Sequence, residues 1–262
     1  MTDPASKTTI ALISDIHANA EALQVVLEDL DRRAPDAVYC LGDLIGYGPS
    51  PNEVIKEIRK RKMPVIAGNH DEKIARWEGE PPSSFRAEPT ASTGEEAARY
   101  THFLVTAEHR HYLSGLPSHL RLEYGHPEDP WTILLAHGST RRINEYLLEE
   151  HDERDLLSMM IEARADVLAV GHTHKPYHRI LTDEHGRHRH VINTGSVGKP
   201  KDGDPRAGYV LLEWAPPLNR QQPDSLSVQF IRLPYDIEST ARAIEKSPLP
   251  DPLAEMLRTG QG

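Results

Sequence analysis

The stretch VYCLGDLIGYGP, residues 38–49, contains a short apolar run that is followed at once by glycines. The run is short and β-prone, so it predicts a buried strand, and the glycines predict a loop at the end of that strand. Asp43 lies in this loop. Ligands of open α/β sheets bind outside the carboxyl ends of the strands. Asp43 is therefore a candidate ligand, although a Gly-Asp pair alone carries little information.

The segments around this stretch predict a parallel α/β arrangement. Residues 9–14 form an apolar strand pattern, and the apolar residues of 22–30 recur with the period of a helix. With the strand at 37–41 they make a βαβ unit, which implies a parallel pair of strands with a right-handed crossover. A second helix begins near Pro51 and leads to a predicted strand at 65–67. From residue 176 onward, consecutive strands with short connections predict antiparallel hairpins.

Polar side chains follow five of the predicted strands. They are Asp15 and His17, Asp43, Asn69 with His70 and Asp71, His137, and His172 with His174. Alternate residues of an extended segment face the same way, so Asp15 and His17 can hold one ion. His172 and His174 can serve two neighbouring ions or one ion twice. Each motif is common by chance, whereas all five in this order, with helices between them, indicate a metal centre.

On these motifs the chain resembles the calcineurin-like metallophosphoesterase superfamily, from about residue 10 to residue 212. The segments 42–49, 137–139, 144–146 and 193–198 make it similar to the small bacterial single-domain phosphoesterases. Ala18 stands where such proteins often have glycine. The fold implied by the resemblance is an α/β four-layer α-β-β-α sandwich, in which two packed sheets are flanked by helices.

The resemblance also implies a role for each strand-end residue. Asp15, His17 and His174 would bind a first divalent metal ion, Asn69, His137 and His172 would bind a second, and Asp43 would bridge both. His70 would be the catalytic, proton-handling residue beside the leaving group, and Asp71 or a neighbouring acid would orient its ring.

The charges of such a centre suit phosphate chemistry. Two divalent ions contribute four positive charges, while Asp15, Asp43 and a bridging hydroxide remove three, so the site stays positive inside a protein of formal net charge −10. Ions about 3.5–4 Å apart can activate a shared water and stabilise both oxygens of an in-line displacement. We therefore expect attack of a bridging hydroxide on a phosphate ester, with a small-molecule phosphodiester or nucleotide favoured. The mixed oxygen and imidazole ligands suit Mn, Fe or Zn, and we favour Mn.

Three further residues are candidates for substrate contact. Arg141, Arg142 and Tyr47 lie a few positions from the proposed ligands. One arginine could hold a phosphate oxygen through two hydrogen bonds. A solvated arginine pair is an equally good interpretation, because exposed charge is the default for this residue type.

Other functions use the same motifs. A serine/threonine protein phosphatase would rely on the same chemistry, and a metal-binding scaffold could keep the fold without turnover. A metal-independent hydrolase based on Ser139 or Ser196 lacks the nucleophile-elbow pattern.

The amino-acid composition limits which binding partners and which cellular compartment we expect for the protein. The 262 residues include 30 basic and 40 acidic side chains, which argues against stable nucleic-acid binding through a basic surface. The single cysteine, Cys40, excludes an intrachain disulfide, is expected to be buried, and fits a reducing cytoplasm. Residues 1–9 lack the apolar core of a signal peptide, and no apolar run is long enough to span a membrane. We expect a cytoplasmic protein with a small phosphorylated substrate, no membrane association and a possible homo-oligomer.

The domain organisation is predicted to be simple. No linker divides the chain, which indicates one domain over residues 1–262. Residues 72–116 predict a mostly helical insertion that lies over the site, and residues 248–262 predict a loosely ordered tail. Histidines away from strand ends are expected to be exposed; they are His102, His109, His111, His185, His188 and His190.

Overall fold

A computed structural model describes residues 7–79, 81, 84–86, 88 and 90–262. The prediction that no signal peptide is present falls largely on residues 1–6, which lie outside the described residues. Positions 80, 82, 83, 87 and 89 of the predicted insertion, Pro82 among them, lie outside them as well.

The strands of the described residues form two sheets. They are β1 (Thr8–Ile13), β2 (Ala37–Cys40), β3 (His119–Tyr124), β4 (Trp131–Ala136), β5 (Val167–Val170), β6 (Tyr177–Thr182), β7 (His188–Asn193), β8 (Ala207–Trp214) and β9 (Ser227–Leu233). The first sheet has the order β2-β1-β8-β9 and the second has the order β3-β4-β5-β7-β6. The pairs β1–β2, β4–β5 and β5–β7 are parallel, so their carboxyl ends point the same way.

The helices surround these sheets. They are α1 (Ala20–Arg33), α2 (Pro51–Lys60), α3 (Asn69–Ala75), α4 (Thr93–Leu104), α5 (Ala107–Ser114), α6 (Glu153–Glu162), α7 (Ile237–Glu245) and α8 (Pro252–Thr259). Helix α1 shows how the sequence sets an element, because the Asn19 side chain accepts a hydrogen bond from the Ala22 N–H and caps the first turn. None of the helices in the described ranges is both long and apolar enough to cross a membrane.

The core explains the layer order. Along β1, Ala11 and Ile13 pack into the apolar cluster of α1 and α2, while Ile10 and Leu12 face the second sheet. Along β4, Ile133 and Leu135 complete the layer between the sheets. Their neighbours Leu134 and Ala136 pack against α6. Since successive strand residues face opposite sides, each sheet buries both faces, and the predicted α-β-β-α sandwich is confirmed.

Several predicted elements are confirmed and two are corrected. The βαβ unit, the antiparallel pairs β6–β7 and β8–β9, and the helical insertion, carried by α4 and α5, agree with the prediction. The predicted strand at 65–67 is reduced to one bridge between Cys40 and Val65. The prediction of a loosely ordered tail was wrong, because α8 buries Leu253, Ala254 and Leu257 against α7.

Candidate metal centre

The predicted ligands lie at the carboxyl ends of strands from both sheets. Backbone hydrogen bonds from the Asp15 N–H to the Gly42 oxygen (3.0 Å) and from the His17 N–H to the Asp43 oxygen (3.0 Å) hold the first two segments side by side. A hydrogen bond from the Gly171 N–H to the His137 oxygen (2.9 Å) does the same in the second sheet. The strand ends therefore bring together, from five separate segments, side chains that are far apart in sequence.

The backbone at these ligands is unusual. Five of the seven predicted metal ligands have φ between 50° and 65°, in the left-handed region; they are Asp15, His17, Asp43, His172 and His174. Non-glycine residues in this region are disfavoured by about 1–3 kcal/mol each and cluster at functional sites. The chain therefore keeps a strained backbone where its candidate chemistry is located.

A glycine makes room for one ligand. A Cβ at Gly68 would lie 2.1 Å from Oδ1 of Asp43, so only glycine allows α3 to begin this close to the carboxylate. The approach lets the His70 N–H donate to Asp43 Oδ1 at 2.8 Å. One Asp43 oxygen is thus fixed by backbone, and the other is directed into the centre.

The first ligand cluster contains Asp15, His17 and His174, and it includes an unpartnered oxygen. Asp15 Oδ2 accepts from the Ser14 hydroxyl (2.6 Å) and from the His172 N–H (3.0 Å). Asp15 Oδ1 is buried with no hydrogen-bond donor, and it lies 3.6 Å from His17 Nε2 and 3.1 Å from His174 Nε2. Since buried carboxylate oxygens are rarely left without a partner, this oxygen fits a cation ligand.

The two histidines of this cluster point their lone pairs at each other. Nδ1 of His17 donates to the Ile45 oxygen at 3.1 Å, and Nδ1 of His174 donates to the Lys199 oxygen at 2.5 Å. A carbonyl can only accept, so both neutral rings carry their proton on Nδ1. Their Nε2 atoms lie 3.0 Å apart and neither has a hydrogen to donate. A cation bound between them and Asp15 satisfies both lone pairs, as imidazoles fixed by carbonyl groups do in metal sites.

The second cluster contains Asp43, His137 and His172. Nδ1 of His137 donates to the Leu41 oxygen at 2.8 Å, while its Nε2 lies 3.1 Å from the Asn69 side-chain oxygen and 3.4 Å from Asp43 Oδ2. Nε2 of His172 is buried without a hydrogen-bond partner. The donor set of carboxylate, amide and imidazole again fits a divalent cation.

Asp43 connects the two clusters. Its Oδ2 lies 3.6 Å from His17 Nε2 and 3.4 Å from His137 Nε2. Its side chain is 1% exposed. One carboxylate oxygen therefore faces imidazoles of both clusters at nearly equal distances.

The buried carboxylates of Asp15 and Asp43 would be stabilised by positive charge in the centre. Burial disfavours the carboxylates of Asp15 and Asp43, yet nearby imidazoles, His174 at Asp15 and His137 at Asp43, hold the pKa of both acids below the usual range. Burial likewise disfavours protonated His137, but the Asp43 carboxylate raises its pKa to about 10. A proton on His137 thus takes the place that a metal cation would fill.

His70 lies at the edge of the centre, and its predicted partner Asp71 does not orient it. The His70 ring packs 5.2 Å from the His17 ring and 4.6 Å from the Tyr47 ring. The Asp71 carboxylate instead accepts from the Leu44 N–H (3.0 Å) and the Gly68 N–H (3.0 Å). The expected orienting role of Asp71 is therefore corrected: it fixes the loops that carry Asp43 and Asn69.

Burial governs the protonation of these two residues. Burial lowers the pKa of His70 to about 4, with the Asp43 carboxylate only partly opposing the shift. Burial, reinforced by Asp43, raises the pKa of Asp71 to about 7. The His70 imidazole is therefore neutral near pH 7, with one N–H available to donate.

The three candidate substrate contacts differ in their surroundings. The Arg141 guanidinium is occupied by Glu145 and Asp155, with the Nη1–Oδ1 distance to Asp155 at 2.8 Å. Arg142 is exposed. Tyr47 packs on His17 with ring centroids 4.9 Å apart. Tyr47 is thus beside the centre, whereas Arg141 already has acidic partners.

Sequence reasoning missed several residues around the centre. The Tyr146 ring stacks on His172 at 4.2 Å while 55% of the residue stays exposed. The Lys199 ammonium lies 4.9 Å from the Tyr47 ring centroid and is buried. Burial lowers the pKa of Lys201, while Asp15 and Asp43 are close enough to oppose that shift. The basic pair in the segment GKPK, residues 198–201, was the available signal, because it follows a loop that returns to the site.

Two predicted surface histidines are buried. His102 is 4% exposed and stacks on Trp77 at 4.8 Å, and His190 is 2% exposed and lies 3.0 Å from the His178 ring nitrogen. His190 lies on the same face of β7 as Ile192, which packs in the layer between the two sheets, so its side chain is covered. The burial of Cys40, by contrast, is confirmed.

Comparison with known proteins assigns this centre to a family. The profile of the Calcineurin-like phosphoesterase superfamily domain matches residues 9–215, which include all seven predicted ligands. The chain belongs to this superfamily. It is therefore a metal-dependent phosphoric ester hydrolase, and the family together with the buried His/Asp clusters indicates a divalent-metal site.

Relatives of this superfamily member match over nearly the whole chain. An uncharacterized protein of Methanocaldococcus jannaschii is 29% identical, covering 97% of this chain and 99% of its own length. The crystal structure of a metallophosphoesterase from Sphaerobacter thermophilus is 31% identical, with a TM-score of 0.72 and coverage of 97% and 100%. A hypothetical protein from Pyrococcus horikoshii has the same coverage, 22% identity and a TM-score of 0.78, and shares the fold.

Proposed function

We propose that the protein hydrolyses a small phosphodiester or nucleotide with two divalent cations bound in this centre. The observation that carries the proposal is the position of Asp43 Oδ2, which lies 3.6 Å from His17 Nε2 and 3.4 Å from His137 Nε2. A carboxylate shared by two ligand clusters is the arrangement expected of a dinuclear site. When bound, such a pair of cations activates water and stabilises the charge on the phosphoryl group.

The ligands divide between the two clusters. The first ion would be held by Asp15, His17 and His174, the second by Asn69, His137 and His172, and Asp43 would contact both. Asp15 and Asp43 supply two negative charges against four positive ones, so the loaded centre stays attractive to a phosphate ester. Oxygen and imidazole donors suit Mn²⁺, Fe and Zn²⁺, and Mn²⁺ remains the favoured ion.

The residues around the centre have distinct tasks in this proposal. His70, at the edge of the centre, assists the departing oxygen: its neutral ring donates a hydrogen bond, and the small imidazolium fraction near pH 7 can transfer a proton. Lys201 and the Tyr47 hydroxyl contact the phosphate. Tyr146 keeps the His172 ring in place through the stacking contact of 4.2 Å. The proposed cation ligands include His17, His174 and His137, whose rings are held in position by hydrogen bonds to backbone carbonyls.

Metal removal and restoration test the proposal directly. The purified protein is analysed for bound metals, stripped with a chelator, and assayed on alkyl and nitrophenyl phosphodiesters, a nucleotide and a phosphoserine peptide after Mn²⁺, Fe²⁺ or Zn²⁺ is added. We expect two ions per chain and restored turnover of the small esters. One ion per chain would contradict the dinuclear site, turnover of the peptide alone would favour a protein phosphatase, and two ions without turnover would favour a scaffold.

The His70→Ala variant tests the proton-handling role. It should lose about 10²-fold in rate on alkyl esters and less on nitrophenyl esters, because nitrophenolate leaves without a proton. Its metal content should equal that of the wild type. Equal losses on both ester types would contradict this role.

We infer that the protein acts in the cytoplasm on a small phosphorylated molecule, without a stable nucleic-acid or membrane partner. The support for this inference is the acidic composition and the single, buried cysteine. A homo-oligomer stays a prediction, which sedimentation of the purified protein would test.

A further inference from the structure

A large open cavity lies beside α3 and α4, outside the metal centre. Its volume is about 770 Å³, and its described walls come from the end of α3, the start of α4 and the segment between them. Cavities of about 300–1,000 Å³ hold ligands of the size of a nucleoside or a drug molecule. The metal ligands do not line it.

The cavity adjoins the edge of the centre where His70 lies. His70 and Lys73 are separated by three residues on α3, so they lie on the same side of the helix, and Lys73 lines the cavity. At the start of α4, a Cβ at Gly94 would lie 3.9 Å from the Tyr47 hydroxyl, and the next residue, Glu95, also lines the cavity. Tyr47 in turn packs on the His70 ring at 4.6 Å. Tyr47 and His70 therefore connect the edge of the metal centre to the residues that line this cavity.

The charges of the walls argue against a second phosphate. The charged lining residues are Lys73, Arg86 and Arg99 against Glu78, Glu88 and Glu95, so they cancel. Arg99 is also shared by two acids, since its guanidinium lies 3.8 Å from Glu88 and 3.6 Å from Glu96. A further anion would find no excess positive charge among these residues. A neutral group that both donates and accepts hydrogen bonds would find many partners.

The remaining lining residues favour a flat ring. Trp77 and His102 stack with their ring centroids 4.8 Å apart at an angle of 16°, and Phe85 provides a third ring. Aromatic rings beside polar side chains are the usual surroundings of a nucleobase in a protein. The hydroxyls of Ser84 and Thr90, with the charged groups, can bond the edge of a base or a sugar.

We propose that this cavity binds the nucleoside part of the substrate, as the leaving group of the ester. The proposal rests on the proposed phosphoesterase function and assigns a task to the insertion: it selects the group that departs. The selected substrates would be nucleoside esters, in preference to simple alkyl esters.

Adenosine is the probe for binding, because it carries no phosphate and does not depend on hydrolysis. Of the three tryptophans, Trp131 and Trp214 are 5% and 4% exposed, whereas Trp77 is half-buried and lines the cavity. Adenosine should quench the fluorescence of the metal-loaded protein and show binding by calorimetry. Trp77→Phe should lose the quenching, because it removes the reporting indole, and should weaken calorimetric binding without abolishing it, because phenylalanine keeps an aromatic ring in the wall. Absence of calorimetric binding to the wild type would overturn the proposal.

Filling the cavity tests its link to catalysis. Ala91 lines the cavity, so Ala91→Phe should fill it without removing a contact, and Ala107→Phe on α5, outside the cavity, is the matched control. Ala91→Phe should weaken adenosine binding about tenfold or more, the loss typical of one base–aromatic stack. It should lower kcat/KM on a dinucleoside monophosphate by a similar factor and change kcat/KM on methyl 4-nitrophenyl phosphate less than twofold. The control should match the wild type in all three measurements.

The outcomes separate this proposal from the proposed function. Adenosine binding that Ala91→Phe weakens, in a protein that hydrolyses no ester, would support the nucleoside site and contradict the phosphoesterase proposal. Ester hydrolysis without adenosine binding, or equal losses on both esters in Ala91→Phe, would contradict the nucleoside site and leave the phosphoesterase proposal standing.

Discussion

Two pairs of histidines in this protein have the same separation and opposite chemistry. The Nε2 atoms of His17 and His174 lie 3.0 Å apart, and His178 Nε2 lies 3.0 Å from His190 Nδ1. In the first pair both Nδ1 atoms already donate to backbone carbonyls, so two lone pairs face each other. In the second pair one ring can donate and the other can accept. In this protein, a buried histidine pair therefore fits a metal centre when the single N–H of each neutral ring already donates to a backbone carbonyl.

The largest effect that would test this comparison is expected at Asp43, the carboxylate next to the first pair. Asp43→Asn keeps the shape and removes the charge, so it should lower ester hydrolysis by about 10³-fold, comparable with the loss of a main electrostatic group in an active site. Metal analysis should show fewer bound ions. Asp224→Asn, at an exposed position, is the control and should match the wild type. Full activity in Asp43→Asn would contradict the assignment of Asp43 as the shared ligand.

The second pair, His178 and His190, should make the free energy of unfolding depend on pH. Burial, with smaller contributions from His178 and His188, lowers the pKa of His190 to about 4 from a usual value near 6.5. The folded protein then binds fewer protons than the unfolded chain between these values, so stability is lost as the pH falls from 6.5 toward 4. The loss should reach about 3 kcal/mol.

Urea unfolding of the metal-free protein at pH 7.5 and pH 4.5 measures this loss. His190→Phe removes the titrating ring and should lose less stability between the two pH values than the wild type does. The comparison with this variant isolates His190 from other groups that titrate in the same range. Parallel losses in the two proteins would contradict the interpretation of this pair.

Of the two histidine pairs, only the first should contribute to the stabilisation of the fold by added metal. Mn²⁺ at 100 times its dissociation constant should add about 2.7 kcal/mol to the free energy of unfolding of the stripped protein. His174→Phe should lose the part of this gain that comes from the first ion, and His178→Phe should keep the whole gain. An equal gain in both variants, measured by thermal unfolding, would show that the first pair is not a metal ligand set.

The smallest effect is expected at Ser14, which contacts no proposed ion. Its hydroxyl donates to Asp15 Oδ2 at 2.6 Å and helps to direct Oδ1 into the centre. Ser14→Ala should weaken metal binding by about 10-fold, at the lower end of the range for groups that support a ligand. Ser139→Ala, next to the centre but bonded to Glu145, is a matched control. Unchanged metal affinity in Ser14→Ala would mean that Asp15 is held by the backbone alone.

The clustering of these polar side chains could be predicted from the sequence because each motif closely follows a β-prone run, whereas their division between two ions was implied by the family resemblance. Strand ends meet at one edge of a sheet, so position along the chain was enough to select Asp43 or His137. The groups that fix the rings could not be predicted in this way. They are backbone carbonyls, such as those of Ile45 and Lys199, and a carbonyl has no sequence signature.

The errors also have physical reasons. His190 was expected at the surface because a polar turn precedes it, but its side chain lies on the face of β7 that packs between the two sheets. His102 was expected at the surface because it does not follow a strand, but Trp77 stacks on its ring. Residues 248–262 were expected to form a loosely ordered tail, whereas Pro252 begins α8, where a missing N–H is harmless. For the two histidines, packing against residues distant in sequence decided the outcome.

The left-handed backbone at five of the seven predicted ligands limits how such a centre can arise. Aspartates and histidines grafted at matching places on a regular sheet would point elsewhere, because ordinary strand geometry does not aim them at one another. The main-chain torsion angles are therefore as necessary to this centre as the residue types. A design that copied the aspartates and histidines without these torsion angles would not bring their side chains together.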